Sequence, residues 1–312
     1  MTVTLARESL SRIAPGRDSA VTIGKFDGVH RGHQHLVTHL IERAHAEGLA
    51  SVVVVLYPNP STVLRPGAAA SYLTSLEERL QLLRRLGADS VGIIPFTSEL
   101  AQLSARDFAS LLVEELSMRL LYVGPDFALG RNREGTVGVL RKVGGDMGFR
   151  VEAAELLARD SEKVGSSAVR QALAAGDVEE VARLLGRPFT LSGPVVAGAH
   201  RGAGLGFPTA NIAIGLDRAL PAFGVYVTRA FIRENEYLSC TNIGVRPTFD
   251  SEPRPTVEAF VLDFDDDIYG QDIRIDLLHR LREELRFDSV DDLVTQMHRD
   301  IADTREYFRA QG

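Results

Sequence analysis

The sequence has little of what marks a secreted, membrane-spanning or nucleic-acid-binding chain. Its 312 residues contain one cysteine, Cys240, so no internal disulfide framework can form and a reducing compartment is indicated. No apolar run approaches the roughly 20 residues of a membrane helix, and the amino end shows no signal-peptide core. Acidic residues outnumber Lys and Arg by 42 to 35, and the net charge of −7 argues against broad nucleic-acid binding. We therefore expect a cytoplasmic protein without nucleic-acid or membrane partners, in which any phosphate site is built locally.

The first half of the chain alternates between short apolar runs and helical patterns. The strand-like runs cover residues 20–24, 51–57, 89–96, 120–124 and 149–154. Helices are predicted over 34–48, 104–118 and 136–147, and a capping-box pattern at Thr74 and Glu77 precedes a further one. Continuous Val, Ile and Leu strands separated by helices predict an α/β, Rossmann-like domain, whose parallel sheet is covered by helices on both faces.

The character of the chain changes after two short helices predicted over 166–175 and 178–185. From Phe189 to about Ile275, short β-branched and aromatic runs alternate with Gly and Pro, and no long helix fits there. This pattern predicts an antiparallel β-barrel. Leu293, Met297 and Ile301 then predict a C-terminal helix that packs on the barrel. We place the boundary near Gly186, which gives domains 1–186 and 187–312.

Residues 22–33 combine a strand end, a tight loop and a helix start, a place where α/β proteins bind anions. Two histidines, His30 and His33, flank Gly32 in this loop. They are either solvated side chains or, with two further histidines on the following helix, zinc ligands, although no cysteine lies nearby. In a third interpretation, both imidazoles donate hydrogen bonds to ATP phosphates, and the loop glycines let the backbone approach them. These residues alone leave all three interpretations open.

The loop resembles a known signature. Gly24-x-Phe26-Asp27-Gly28-Val29-His30-x-Gly32-His33 is similar to the H-x-G-H region of the nucleotidyltransferase superfamily, and its Phe-Asp-Gly-Val-His version resembles bacterial bifunctional riboflavin kinase/FAD synthetases. In that superfamily the histidines bind ATP phosphates while a substrate phosphate attacks the α-phosphorus and releases pyrophosphate. The resemblance implies ATP binding by Gly24, Phe26, Asp27, Gly28, His30 and His33, with His30 and His33 catalytic.

Three further loops of the first half carry the same resemblance. Leu56-Tyr57-Pro58-Asn59-Pro60 is similar to the family's Phe-x-Pro-His-Pro, with Asn59 where the family has histidine. The loop 123–135 is similar to G-x-D-F-x-F-G-x-x-R-x-G, and residues 166–170 place two hydroxyls and an arginine at a helix start, a typical anion site. The resemblance implies FMN binding by Asn59, Asp126, Phe127 and Arg131, and ATP binding by Ser166, Ser167 and Arg170.

A glycine-rich stretch over 198–211 belongs to the β-rich half. It matches neither the P-loop lysine motif nor G-x-G-x-x-G, and it resembles the riboflavin kinase signature Gly-x-x-x-Gly-x-x-Leu-Gly-Phe-Pro-Thr-Ala-Asn. The resemblance implies ATP binding by Gly198, Arg201, Gly202, Leu205, Gly206, Phe207, Pro208, Thr209 and Asn211. Thr209 and Asn211 point the same way in an extended segment, so their neutral oxygens can supplement phosphate oxygens around Mg²⁺.

Glu258 is the most informative single residue of the second half. Because apolar residues alternate along both faces of 257–262, this strand is predicted to be buried, where an unpaired carboxylate is costly. A paired structural glutamate is one explanation. The resemblance implies another, a general base that takes the proton of the ribityl 5′-hydroxyl as its oxygen attacks the γ-phosphate of ATP. The flavin-side residues implied in the same domain are Asn242, Arg246, Thr248 and Arg286.

The resemblance spans nearly the whole chain and implies a bifunctional enzyme. The second domain is expected to phosphorylate riboflavin to FMN with ATP and Mg²⁺, and the first to adenylylate FMN to FAD. The expected partners are riboflavin, FMN and ATP. Weak homo-oligomerisation is a further expectation. Two alternatives stay open: transfer of AMP to another phosphate, such as a pantetheine or nicotinamide precursor, and a flavin-binding regulator that has lost one chemistry.

Overall fold

The computed structural model describes residues 2–65, 67, 71–154, 164–198, 207–246 and 254–311. The chain forms two compact units, Met1–Ser166 and Ser167–Gly312. The first is an α/β unit built on a parallel sheet, and the second contains a closed antiparallel barrel, as the sequence predicts.

Five parallel strands form the sheet of the first unit in the order β3-β2-β1-β4-β7. They are β1 Ser19–Gly24, β2 Ala50–Tyr57, β3 Ser90–Pro95, β4 Met118–Val123 and β7 Arg150–Ala153, and a separate two-stranded ribbon contains β5 Ala128–Leu129 and β6 Gly135–Thr136. Along β2, Val52 and Val54 enter one buried cluster while Val53 and Val55 enter another. The sheet is therefore covered on both faces, which explains the continuous apolar run of β2.

Within its described residues, the first unit contains six α-helices. They are α1 Thr2–Ser11, α2 Arg31–Ala46, α3 Pro60–Leu64, α4 Leu76–Arg85, α5 Ala105–Leu116 and α6 Val137–Met147. The predicted capping box is wrong by one residue, because Ser75 caps α4 and Glu78 completes the box. The Thr74 hydroxyl instead accepts a hydrogen bond from the backbone N–H of Gly28, 3.1 Å away. Helices α1 and α3 were not predicted from the sequence, and α2 begins at Arg31, three residues before its predicted start.

The second unit consists of two short helices, the barrel and a long C-terminal helix. The elements are α7 Ser166–Ala175, α8 Val178–Leu185, β8 Phe189–Val196, β9 Thr209–Ile212, β10 Gly224–Ile232, β11 Asn235–Arg246, β12 Arg254–Val261, β13 Asp272–Arg282 and α9 Val290–Gln311. The barrel closes in the order β10-β11-β12-β9-β8-β13. Across the described ranges, none of the helices is both long and apolar enough to cross a membrane.

Strand β12 has two unlike faces. Val257, Ala259 and Val261 are buried and face the barrel interior. Glu258 and Phe260 alternate with them, are only half-buried, and face the outer side of the barrel, where α9 packs against β10 and β11. The expectation that both faces of this strand are buried is therefore wrong at Glu258, and the packing of α9 on the barrel is confirmed.

Candidate active sites

The loop between β1 and α2 brings His30 and His33 into direct contact. The side chain of His30 caps α2, since its Nδ1 accepts a hydrogen bond from the backbone N–H of His33 at 3.3 Å. The two rings stack with centroids 3.7 Å apart. The rings of Phe26 and His33 meet edge to face, with centroids 5.2 Å apart. A Cβ at Gly32 would lie 3.2 Å from His30 Nδ1 and 3.3 Å from the Val164 carbonyl oxygen. Glycine at this position therefore lets the loop close tightly around the paired imidazoles.

The surroundings of His33 keep its imidazole neutral. Burial is the main cause that lowers the pKa of His33 well below 6.5, and electrostatic interactions with His30, Arg79 and Lys25 act in the same direction. Its Nδ1 is buried and makes no hydrogen bond within the described part of the chain. A neutral imidazole has one N–H group, and it can donate one hydrogen bond.

Asp27 connects this loop to neighbouring segments through hydrogen bonds. Its carboxylate is 3 % exposed and accepts hydrogen bonds from the backbone N–H of Leu73 at 3.0 Å and from the Arg79 guanidinium at 2.9 Å. Its carbonyl oxygen accepts one from the Ser166 hydroxyl at 2.9 Å. Asp27 and Ser166 thus support the histidine loop through these contacts, and their predicted contact with ATP stays a prediction.

Sequence analysis did not single out Arg79, although a signal exists. It lies three residues after Leu76 and four before Leu83, on the apolar stripe of α4, where a charged residue is unusual. An arginine at such a position is expected to pair with a buried carboxylate. Its partner was not predictable, because 52 residues separate Arg79 from Asp27.

The predicted FMN-binding residues follow two other strands of the parallel sheet. Asn59 comes after β2 and caps α3, where its side-chain oxygen accepts hydrogen bonds from the N–H and hydroxyl of Ser61 at 3.1 and 3.0 Å. Asp126 and Arg131 are exposed in the loop after β4, whereas Phe127 packs partly against a core cluster. Since β1, β2 and β4 are parallel, these residues and the histidine loop follow strand ends at the same edge of the sheet.

Three other predictions concern helices. Ser167 and Arg170 lie in the first two turns of α7 and belong to the second unit, so their contact with ATP stays a prediction. His35 and His39, the further histidines of the zinc interpretation, lie on successive turns of α2 with ring centroids 4.0 Å apart. The described residues contain no group of three or more His, Cys, Asp or Glu side chains suited to a metal ion.

A cavity of about 310 Å³ lies between the outer face of the barrel and α9. It is lined by Thr209, Asn242 and Glu258 of the predicted set. The strand register explains why they meet, because Glu258 pairs with Asn242 on one side and with Asn211 on the other. Paired residues project from the same face of a sheet, so the carboxylate of Glu258 is flanked by two amides. This cavity combines a base with neutral hydrogen-bonding groups.

Helix α9 is fixed over this cavity by an ion pair that the sequence analysis did not find. Asp300, 4 % exposed, accepts hydrogen bonds from Nε and Nη2 of Arg282 at 2.9 and 2.6 Å. Gln296 donates a further hydrogen bond to the same carboxylate at 2.9 Å. Cys240 also lines the cavity, and burial raises the pKa of its thiol to about 12, so it stays uncharged. Arg286 is exposed and outside the residues that line this cavity, so its flavin contact stays a prediction.

A second cavity of about 240 Å³ lies beside β9, the strand in which the glycine-rich segment ends. It is lined by Pro208 and Thr209 and by the acidic turn 265–267 with Tyr269. Thr209 lines both cavities, so it stands between the Glu258 cavity and this one. Phe207 is buried, with its ring edge against Phe260 at 5.6 Å.

Several predicted residues cannot be placed. Arg201, Gly202, Leu205, Gly206 and Thr248 lie outside the described residues, and so does the side chain of Arg246. Gly198 is described, and a Cβ there would overlap the side chain of Asn211. Glycine is therefore required beside Asn211 by close packing.

Comparison with known proteins gives the same two parts in the same order. The family described as FAD synthetase matches residues 13–168, and the family described as riboflavin kinase matches residues 185–308. Because residues 169–184 lie between the two matches, the boundary near Gly186 stays a prediction.

Full-length relatives show similar agreement. The bifunctional riboflavin kinase/FMN adenylyltransferase of Escherichia coli K12 is 38% identical over 297 residues, covering 95% of this chain and 94% of that protein. Its counterpart in Pseudomonas fluorescens is 39% identical over 290 residues, covering 93% of both chains. The counterpart in Bacillus subtilis is 33% identical over 294 residues, covering 93% of this chain and 92% of that protein.

One solved structure extends the agreement to the fold. A crystal structure described as a macrolide-efflux protein from Streptococcus pneumoniae has a TM-score of 0.87 and 31% identity, and covers 95% of this chain and 97% of that one. Two matched families in order and relatives matched over more than nine tenths of their length lead to one conclusion: the chain belongs to the bifunctional riboflavin kinase/FMN adenylyltransferases, with FAD synthetase in its N-terminal part and riboflavin kinase in its C-terminal part.

Proposed function

We propose that FMN forms in the cavity at Glu258 and that FAD forms at the His30–His33 loop. One observation above all supports the first assignment: Thr209 lies between two cavities, and the larger one contains the only predicted base, Glu258. Riboflavin would occupy the larger cavity under α9, and the nucleotide the smaller one. The γ-phosphate and the ribityl 5′-hydroxyl would then meet near Thr209.

The kinase step follows from this placement. Glu258 removes the proton of the 5′-hydroxyl, and the oxygen forms a bond to the γ-phosphorus of ATP. The bond between the γ-phosphorus and the β–γ bridging oxygen breaks, so that FMN and ADP are formed. Asn242 and Asn211 flank the carboxylate in the strand register and orient it toward the hydroxyl.

The residues around Glu258 also fit a magnesium ion. Thr209 and Asn211 project from the same face of β9, and the packing of Asn211 against Gly198 limits the conformations of its amide. Their two neutral oxygens would hold Mg²⁺ together with ATP phosphate oxygens and water. When bound, the ion supplies positive charge that offsets the phosphate oxygens. The expected holders in this chain are therefore Thr209 and Asn211.

The second reaction uses FMN as the nucleophile. A phosphate oxygen of FMN attacks the α-phosphorus of ATP, and the bond from that phosphorus to the α–β bridging oxygen breaks and releases pyrophosphate. His30 and His33 donate hydrogen bonds to phosphate oxygens that gain charge as the bond breaks. The backbone N–H groups at the N-terminus of α2 are further donors, and their partial positive charge also attracts phosphate.

Labelled ATP tests whether the protein carries out both reactions and which ATP phosphorus each one uses. The protein is incubated with riboflavin, Mg²⁺ and ATP labelled with ³²P at either the γ- or the α-position, and the flavins are separated by chromatography. With γ-label, radioactivity enters FMN and FAD, and with α-label it enters FAD alone. Label from the α-position in FMN, or the absence of FAD, would contradict the proposal.

Two further parts of the proposal concern the cellular location of the protein and its self-association. A reducing, cytoplasmic location is inferred from the single cysteine. Weak self-association is expected, and sedimentation velocity at several protein concentrations measures it directly.

A further inference from the structure

Arg79 is a fully buried charge outside every sequence motif of the chain. It is 1 % exposed and lies on α4. Its Nη1 donates to the Lys25 carbonyl oxygen at 2.9 Å, and its Nη2 donates to the Asp27 carboxylate at 2.9 Å and to the Thr74 carbonyl oxygen at 3.2 Å. Burying a charge is costly unless it is paired and hydrogen-bonded. Three elements therefore depend on one guanidinium: the histidine loop, the segment before α4, and α4 itself.

The loop that Arg79 contacts has an unfavourable backbone. Phe26, Gly28 and Val29 all have positive φ angles, of 49°, 84° and 41°. For a β-branched residue such as Val29 this conformation is strongly disfavoured, and it persists only when surrounding contacts enforce it. The Arg79 contacts at Lys25 and Asp27 flank Phe26 at the start of this segment and supply such enforcement.

We propose that Arg79 is the positioning residue of the adenylyl-transfer site, where it holds the β1–α2 loop in the conformation that stacks His30 on His33. The inference rests on the assignment of FAD formation to this loop. Arg79 acts through Asp27 and the backbone of the loop and is not itself a catalytic residue. Lysine cannot replace it, because one ammonium group does not reach the separate acceptors that Nη1 and Nη2 contact in the plane of the guanidinium.

The positive charge of Arg79 has a second effect, which separates it from a purely structural residue. Besides burial, the groups that lower the pKa of His33 are His30, Arg79 and Lys25, and the Asp27 carboxylate is paired with Arg79. Removing the guanidinium charge raises the pKa of His33 toward its ordinary value. Since neutral His33 is the form that suits phosphate binding here, the acid limb of FAD formation moves to higher pH.

Four variants of the full-length chain test the inference. Arg79→Lys keeps the positive charge but loses the planar set of guanidinium N–H donors, and Arg79→Gln loses both the charge and that set of donors. Asp27→Asn with Arg79→Gln removes both buried charges, so that no unpaired carboxylate destabilises the fold. The control is Arg84→Gln, an exposed arginine on the same helix. Conversion of supplied FMN to FAD and of riboflavin to FMN is measured for each, with kcat and KM from pH 5.5 to 9.

We expect a selective loss of FAD formation. Arg79→Lys lowers its kcat by about tenfold or more, as misplaced catalytic groups do, with the acid limb unchanged. Arg79→Gln lowers it further and moves the acid limb to higher pH. The double variant folds, by its thermal unfolding transition, and still loses FAD formation. FMN formation stays within about twofold in every variant, and Arg84→Gln changes neither reaction.

The possible results separate the inference from the proposed function. If Arg79→Lys and the double variant keep the kcat of the original chain for FAD formation, the positioning role is overturned, even when His30→Ala abolishes the reaction. If His30→Ala and His33→Ala leave FAD formation intact, the site assignment itself fails. A loss of FMN formation equal to that of FAD formation would also overturn the inference, because it would show general destabilisation.

Discussion

At the residue scale, the two proposed active sites solve the problem of a partly buried polar group in different ways. Glu258 projects from a strand whose other face is fully apolar, and amides on both neighbouring strands flank it. His33 is held neutral by burial and by the positive charges around it. A carboxylate that accepts a proton and an imidazole that donates a hydrogen bond are the groups that the two reactions require.

The first prediction concerns Glu258. Glu258→Gln keeps the size of the side chain and removes the base, so FMN formation should fall by about 10²- to 10⁴-fold, the usual contribution of general-base catalysis. Conversion of supplied FMN to FAD should stay unchanged, and both rates are measured by chromatography. Glu283→Gln, at an exposed position next to the cavity wall, is the matched control and should alter neither rate. A kinase rate in Glu258→Gln close to that of the original chain would refute the role of this residue.

The second prediction concerns the protonation of His33. Because its pKa is lowered well below 6.5, the folded protein binds fewer protons than the unfolded chain in the window below pH 6.5. Unfolding free energy should therefore decrease as pH falls through this window, and this dependence should weaken in His33→Gln. NMR of ¹³C-labelled histidine measures the titration itself. A His33 signal that titrates at or above pH 6.5 would show that the imidazole is not held neutral.

At the scale of elements, α9 is the part of the second unit that covers the Glu258 cavity. It contributes Leu293, Met297 and Ile301 to the cavity wall, and its docking depends on the Arg282–Asp300 pair. Both side chains of the pair are mostly buried. Removing the Asp300 carboxylate therefore leaves the Arg282 guanidinium charged and poorly solvated.

The third prediction follows from this anchor. Asp300→Ala should lower the unfolding free energy of the barrel unit by about 3 kcal/mol, the lower end for breaking a buried pair, and should raise KM for riboflavin more than it lowers kcat. Chemical denaturation and kinase kinetics measure the two effects. Asp303→Ala, at an exposed position of α9, is the control. An unchanged KM for riboflavin in a destabilised Asp300→Ala would show that α9 does not shape the cavity.

The elements differ in how far they were predictable from sequence. Periodicity alone identified the five parallel strands and α9, because their apolar residues follow the burial of the folded unit. Propensity could not place the cap of α4, since Thr74 and Ser75 are both good caps and the choice depends on a contact from Gly28 to Thr74. Helix α1 precedes the first strand and was missed.

The sites show the same division. His30, His33, Thr209 and Glu258 were found because their motifs are local in sequence. Arg79 and Asp300 were not found, because each acts through a partner that the fold brings close, Asp27 from 52 residues away and Arg282 from 18 residues away. Such pairs leave only a weak trace in a single sequence, namely a charge on an apolar stripe.

At the scale of the whole molecule, the chain carries two reactions that share one intermediate. FMN is the product of the barrel unit and the substrate of the α/β unit. If each reaction depends only on its own unit, FMN can leave one molecule and react on another. Variants that disable different sites should then complement each other in solution.

The most direct test of the account is this complementation. Glu258→Gln and the double variant His30→Ala/His33→Ala are each incubated with riboflavin, ATP and Mg²⁺, alone and as a mixture, and FAD is measured by chromatography over time. We predict that Glu258→Gln alone forms FAD at about one hundredth of the original rate or less, that the histidine variant alone forms only FMN, and that the mixture forms FAD after a lag. FAD formed from riboflavin by either variant alone at a rate close to that of the original chain, or none from the mixture, would contradict the assignment of one reaction to each site.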